Sequence, residues 1–453
     1  MRASLRRAWI HLLVSASAMA LFPACSAPGE EPAASRSNAL FLRDAETADG
    51  GSLPRPNDTY DRELRDYVGD LAGVPRDGGA PRPSWKKANI NSGISMFACQ
   101  GTQDGTDCFS APRYEAITDA RNNLPALQSL KLVRQLPYPT MFWVRSSSDG
   151  RYVGASRHIT DLFAVEKGYI HPDIPVSAPY DPYFFPGNDG FSYAGAGPTS
   201  DIVACKQSIL VGMSEDEFGE VTFAEAGCKK VSIGVYQSIG QALEGGSEYV
   251  VANSPSAHTN DPGSGDLEAR FGATARSDFV PMVLSSTGSY DAKPKVTVAH
   301  PFEGDVMLSP TGGLCASQLT NGTKQIGYRI RVIETVRPTS TSPNYAFNTR
   351  KVATIDLLGG KPAFSFDERF IAVHSYAKQA DPHLSINADA SDIVIVDLKT
   401  GAHYQMTKMP QKVRALYPHF RNDGWLYFLV RDANTDTESI LASDLAARIV
   451  RGG

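Results

Sequence analysis

The 453-residue sequence contains no G-x-S-x-G, no Walker phosphate loop, no H-E-x-x-H and no G-x-G-x-x-G after a strand-like run. Nucleophile-elbow hydrolases, P-loop enzymes, zincin proteases and dinucleotide-binding oxidoreductases are therefore not readable in it. Gly195-Ala196-Gly197 runs into Pro198, lacks a third glycine and reads as a turn. No C-x-x-C occurs, so no zinc clamp, dithiol redox pair or haem attachment is suggested, and no cofactor or metal is expected. The formal charge is −5, and no basic footprint for nucleic acid stands out. From Pro137 onward there is no long amphipathic helical pattern. What remains is an ordinary globular composition, 42% hydrophobic and 21% charged, with 39 Gly and 30 Pro that favour many turns.

The N-terminus carries the most specific local signal. Arg2, Arg6 and Arg7 precede a mostly apolar stretch from Ala8 to Phe22, which is too short to span a bilayer comfortably. Removing residues 1–24 as a signal peptide makes the chain three units more negative, because those three arginines leave with no acidic residue. Leu21-Phe22-Pro23-Ala24-Cys25 resembles a bacterial lipobox, with Phe22 where an aliphatic residue is usual and Leu21 one step earlier. The resemblance implies cleavage before Cys25 and acylation of that residue. More than one acyl chain is what stable anchoring requires. Cleavage without lipidation is the alternative. Residues 25–57 are rich in Ala, Ser, Pro, Gly and acidic side chains, too polar to offset their ordering entropy, and read as a tether.

Five further cysteines stand at 99, 108, 205, 228 and 315. In an exported chain they are disulfide candidates. Cys99 and Cys108 flank a turn-rich segment, Cys205 and Cys228 lie in or beside neighbouring strand-like runs, and Cys315 is the odd one out.

Residues 58–136 read as a partly helical extension. Tyr60, Leu64, Tyr67, Val68 and Leu71 have helical spacing, and residues 112–134 show it again around a break at Pro125. Residues 137–453 are short β-rich runs separated by Asp-Gly, Asn-Asp-Gly, Gly-Gly and Pro turns. Aligned on those turns, RSSSDGRYVGA (145–155), DPYFFPGNDGFSYA (181–194), VMLSPTGGLCA (306–316), PAFSFDERFIAV (362–373) and YPHFRNDGWLYFL (417–429) form a loose repeat. Spacings of roughly 35 to 60 residues suit propeller blades with variable insertions. The Ser147–Arg151 and Ser365–Arg369 turns resemble the S-P-D-G-R/K turn of TolB-like, WD-repeat-like propellers. The resemblance implies an all-β fold: a β-propeller of six four-stranded blades, or seven, with the partly helical N-terminal extension packing on it.

In TolB-like propellers the residue after the proline that precedes the turn begins the inner strand, near a central channel. Carried over, that position is Tyr183, Ala363 and His419, with Arg145 and Met307 aligned beside them. Arg145, Tyr183 and His419 are the expected ligand-contacting side chains at the channel mouth, and no catalytic residue is assigned. His300, His374, His383 and His419 do not share one repeat position, which argues against a multi-blade metal site. Asp389, Asp392 and Asp397 lack EF-hand spacing and read as hairpin caps. The resulting expectation is an exported, lipid-anchored, noncatalytic envelope protein that binds a protein, peptide or envelope polymer. Its alternative is a secreted propeller lyase or hydrolase acting at the same mouth.

Overall fold

A computed structural model describes residues 55, 57–69, 115–116, 130–140, 144–155, 157–167, 172–176, 180–194, 201–210, 228–233, 235–241, 248–254, 271–286, 288–322, 324–379, 381–422, 424–443, 445–446 and 449. The expected signal peptide, Cys25 and the Cys99 and Cys108 pair lie outside the described residues.

The described chain is mostly strand, gathered into antiparallel groups that follow one another in sequence. The first holds Val144–Ser146, Tyr152–Ala155, His158–Asp161 and Asp173–Pro175. The second holds Tyr180–Phe184, Gly190–Ala194, Asp201–Lys206 and Cys228–Ile233. The third holds Val235–Gln241, Glu248–Ser254, Arg276–Leu284 and Tyr290–Ala292, with Val296–Ala299 also paired to its third strand. The fourth holds Glu303–Leu308, Leu314–Thr320, Gln325–Val336 and Ala346–Ile355. The fifth holds Gly360–Phe364, Phe370–Tyr376, Ser391–Asp397 and His403–Gln405. The sixth holds Val413–Phe420, Leu426–Asp432 and Thr437–Ser443, and its fourth strand, Lys131–Gln135, comes from before the first group. The fifth and sixth groups share a single parallel bridge, Ser391 to Arg414.

The first strand of each group touches the first strand of the next, and Val413–Phe420 returns to Val144–Ser146. The apolar clusters repeat that order. Tyr152 and Ile159 pack with Phe191 and Cys205, Ile202 and Ala204 with Tyr249 and Val280, and Val250 and Phe279 with Leu308 and Cys315. Leu314 and Val352 pack with Ile371 and Val394, Ile393 and Ile395 with Phe428 and Leu441, and Leu429 and Ile440 with Val144 and Val153. Each sheet thus buries one face against each neighbour, which is why a strand such as Ser391–Asp397 is buried at every position and reads as a continuous run.

Two segments within 112–134 are strands where helical spacing was expected. Glu115–Ala116 pairs with Thr407 and Lys408, and Lys131–Gln135 completes the sixth sheet. Pairing along one edge to Thr437–Ser443 gives this segment ladder bonds in place of internal helical ones, and Leu130 and Val133 then fall into the core. The sheet region therefore takes in residues ahead of 137.

The expected first helix is present as Arg62–Gly69, with Leu64, Tyr67 and Val68 buried on the cluster between the fourth and fifth sheets. Just before it, Thr59–Tyr60 adds a strand to the edge at Thr354 and Ala353. Arg55 forms a 2.7 Å ion pair with Asp381, and Asp58 lies 2.7 Å from the His403 ring, all four side chains nearly fully buried. This strap ties the N-terminal segment to both sheets.

Candidate functional site

The turn between the first and second strands recurs with the same hydrogen bonds in the first and fifth sheets, which explains the Ser, Asp and Arg of the repeat. Ser147 Oγ donates to Asp149 Oδ1 at 2.6 Å and accepts from the Tyr152 amide at 3.0 Å, while the Arg151 amide donates to Asp149 at 3.0 Å. Ser365, Asp367, Arg369 and Phe370 repeat the pattern. Each arginine then forms a two-pronged pair with a buried aspartate of its own sheet, Arg151 with Asp161 and Arg369 with Asp397. These side chains build the turn and do not point to a ligand.

Neighbouring turns are also joined. The Asp149 amide donates to Asn188 Oδ1 at 3.1 Å, the Thr311 amide to Glu368 Oε1 at 2.9 Å, and the Asn422 amide to the Ser148 carbonyl at 2.7 Å. Gly150 has φ +78°, and a Cβ there would meet the Arg421 guanidinium at 2.6 Å. Only glycine fits where the first and sixth turns cross.

Five of the six first strands change register near the middle: between Tyr180 and Tyr183, Val235 and Ser238, Gly304 and Met307, Gly360 and Ala363, and Leu416 and His419. Asp305, Lys361 and Tyr417, inside three of these irregularities, have positive φ. A bulge bends its strand and re-aims the side chains that follow it. Tyr183, Met307, Ala363 and His419, the positions taken from the repeat, are the residues at which pairing resumes.

Beyond the bulges the strands enclose a cavity of about 50 Å³. Every sheet contributes, through Arg145, Tyr183, Ile239, Leu308, Ala363 and His419. The structure thus brings the three expected ligand-contacting side chains to one wall set. Met307 is not among the lining residues and is buried, with Leu308 in its place. The Arg145 guanidinium lies 5.8 Å from the centre of the Tyr183 ring, and its Nη1 donates to the Val144 carbonyl at 3.1 Å. Ser146 and Ser148, missed in the sequence, also line the cavity, and their buried hydroxyls have no hydrogen-bond partner. Their only signal was their place before and within the repeated turn.

His419 is 4% exposed. Its Nδ1 sits 3.0 Å from the Tyr417 carbonyl, so it carries the proton and donates, leaving Nε2 as a bare acceptor without a partner. Burial pushes its pKa down to about 3, with Arg145 adding repulsion. His374 Nδ1 accepts from the Tyr417 amide at 3.3 Å, and burial, Lys361 and Arg145 push it down to about 3 as well. His300 is fully buried beside Phe279, away from this cavity, and the His383 amide donates to Asp381. Among the described residues no group of three or more His, Cys, Asp or Glu side chains is arranged to hold a metal ion.

The Asp residues near the end of the chain act within hairpins. Asp392 accepts from Thr407 Oγ1 and the Met409 amide, both at 2.8 Å, and Asp397 from the Lys399 amide at 2.9 Å. Asp389 has φ +57° and sits 3.9 Å from Lys378. Cys205 and Cys228 are disulfide-bonded across paired strands, and Cys315 is free and buried.

No protein-family model and no curated protein matches the sequence. Among solved structures, TolB from Acinetobacter baumannii aligns at 11% identity and a TM-score of 0.34, over 67% of this chain and 63% of that one. This chain therefore spans less than two thirds of that structure. An oligogalacturonate lyase from Vibrio parahaemolyticus aligns at 8% identity and a TM-score of 0.36, over 73% of this chain and 96% of that one. Likeness at this level carries no argument about activity, which must come from the residues themselves.

Proposed function

We propose that this chain is a closed, six-bladed β-propeller of the cell envelope that binds a protein, peptide or envelope polymer at the axial cavity, without catalysing a reaction. The observation that carries the reading is convergence: Arg145, Tyr183 and His419, singled out from separate repeat units, line one cavity to which six sheets contribute. Few polar groups placed in a concave, largely apolar wall are what a recognition site needs. The cycle of first-strand contacts and inter-sheet clusters supports the closed ring. The Cys205–Cys228 bond supports an oxidising compartment, in keeping with export, and Cys25 is the proposed lipid attachment.

The same clustering is what a propeller enzyme would use, so the two readings must be separated by chemistry. A general base works best with a pKa near the operating pH. His419, at about 3, is far below that range. The cavity of about 50 Å³ admits the tip of a ligand and not a sugar ring or a peptide bond with its substituents. Both points favour docking over turnover.

The test is cross-linking capture from native membranes with the tagged protein, beside Tyr183→Ala and an Arg145→Ala/Tyr183→Ala/His419→Ala variant, each checked for a wild-type melting profile. Loss of a captured partner from folded variants supports axial docking. Unchanged capture removes the cavity from the interaction. Lyase or hydrolase activity on an envelope polymer that is lost in the same variants overturns the noncatalytic reading.

A further inference from the structure

The axial wall is assembled from equivalent positions in successive sheets, and the first sheet departs from the others at each of them. Ser147, Phe185, Ser309 and Ser365 each open a turn by the same backbone bonds, which fixes the correspondence. One residue before that point the wall holds Phe184, Leu308, Phe364 and Phe420, but Ser146 in the first sheet. One residue after it, the lining holds Pro186, Pro310 and Phe366, but Ser148 in the first sheet. Two residues before it stand Tyr183, Met307, Ala363 and His419, but Arg145 in the first sheet. Arg145, Ser146 and Ser148 are 4%, 8% and 3% exposed. Apolar side chains close the wall elsewhere, so packing does not ask for a polar stripe, and burying a guanidinium is costly. That stripe points to something the cavity receives.

Charge selects the kind of group. No Asp or Glu stands among the described residues that line the cavity. Burial holds His419 neutral, and the Arg145 charge adds to that effect, as it does after burial and Lys361 at His374. Asp305, in the bulge of the fourth sheet, lies 3.6 Å from Lys361. The lining therefore carries one formal positive charge, which an anion complements. Size narrows the choice, because about 50 Å³ has room for about four heavy atoms, a carboxylate and the methylene that bears it. Shape narrows it again. Pro186, Pro310 and Phe366 stand at the turns, beyond the strand position of Arg145, so an entering group passes an apolar collar first. A glutamate side chain, with two methylenes behind its carboxylate, suits that path, whereas the carboxylate of a uronic acid is joined directly to a ring. His419 Nε2 calls for a donor, which a carboxamide would supply. The cation decides between the two, since a charge-assisted hydrogen bond is about twice as strong as a neutral one.

We propose that the axial cavity receives the carboxylate of a glutamate side chain presented by a partner protein, with Arg145 as the cation that selects it and the proline and phenylalanine collar packing on its methylenes. The inference rests on the axial docking reading and narrows its partner to a protein with an exposed acidic side chain.

The probe is a pentapeptide of glycines with one central glutamate, acetylated and amidated so that its side chain is its only charge. Beside it run the glutamine counterpart, acetyl-pentaglycine with a free C-terminal carboxylate, and digalacturonate. Binding to the full chain is read by ligand-observed NMR and calorimetry. The glutamate peptide is expected to bind saturably and the glutamine peptide about tenfold more weakly. Arg145→Met should weaken the glutamate peptide about tenfold and erase its advantage over glutamine, while Arg145→Lys keeps part of that advantage. Lys399→Ala, on an exposed turn of the fifth sheet, leaves binding unchanged. The wild-type preference for glutamate needs no variant, so a misfolded Arg145→Met protein does not leave the question open. The proposal is overturned if the glutamate peptide does not bind, if glutamine, the free C-terminus or digalacturonate binds as tightly, or if folded Arg145→Met keeps the preference. Capture from membranes separates this from the docking reading. A partner lost with Tyr183→Ala but kept by Arg145→Met upholds axial docking and overturns the carboxylate, whereas capture unchanged in both, with Arg145-dependent glutamate binding intact, overturns the docking reading alone.

Discussion

Replacing Arg369 by Met tests the claim that the repeated turn is held by a buried ion pair and not merely by its backbone. Arg369 donates to Asp397 at 3.0 and 2.6 Å, and the two side chains are 9% and 0% exposed. Methionine keeps part of the aliphatic stem but removes the charge, together with the guanidinium carbon that lies 5.0 Å over the Phe370 ring. Asp397 is then a buried carboxylate with the Lys399 amide still donating at 2.9 Å. Breaking a buried pair from one side costs about 3–5 kcal/mol. The equivalent Arg151→Met change should cost less, about 1–2 kcal/mol, because the Arg151 side chain is 22% exposed and water can reach the site. Equilibrium urea unfolding of both variants provides the comparison. The Arg369→Met/Asp397→Leu double variant should recover most of the loss, since no charge is then stranded. Equal losses at the two sites, or a loss below about 1 kcal/mol at Arg369, would refute the reasoning.

Three more perturbations follow from the same physics. Burial pushes the Asp367 carboxyl up to about 7, and its Oδ2 has no partner, so the folded protein holds a proton that the unfolded chain releases near its ordinary pKa of about 4. That contribution to stability is full below about pH 4 and is lost as pH rises towards 7, whereas Asp367→Asn should flatten the slope; identical unfolding profiles from pH 4 to 8 would contradict the assignment. Serine at both Cys205 and Cys228, which are 23 residues apart in sequence, should lower stability by about 3 kcal/mol in the chain-entropy account, measured under non-reducing conditions. Arg55→Ala strands Asp381, which is 2% exposed, so the strap should become cleavable by protease at concentrations that leave the wild type intact. Equal resistance would mean that the strand at Thr59–Tyr60 and the helix Arg62–Gly69 hold it unaided.

The sheets were legible because turn residues and strand-forming residues alternate locally, and local chemistry is what a single sequence displays. Tyr183, Ala363 and His419 share one repeat position because each resumes pairing after a bulge that the repeat preserves. Met307 also resumes pairing after a bulge, yet Leu308 lines the cavity in its sheet, and successive strand side chains face opposite ways. Lys131–Gln135 was hidden for a different reason. Its partner lies about three hundred residues further along the chain, and nothing within 112–134 signals a pairing at that distance. Ser148 stands within the repeated turn, yet its open hydroxyl was not legible, since an unpartnered oxygen is a property of surroundings and not of spacing.

The origin of the sixth sheet's outer strand bears on how the molecule is made. Lys131–Gln135 leaves the ribosome early and must wait for Thr437–Ser443 before its ladder exists. Until then the first sheet lacks the neighbour that supplies Leu429 and Ile440 to its buried face, and an unpaired strand edge stays open. Nascent chains stopped short of residue 443 should therefore remain protease-sensitive throughout, and folding should arrive late and at once when the final hairpin is released.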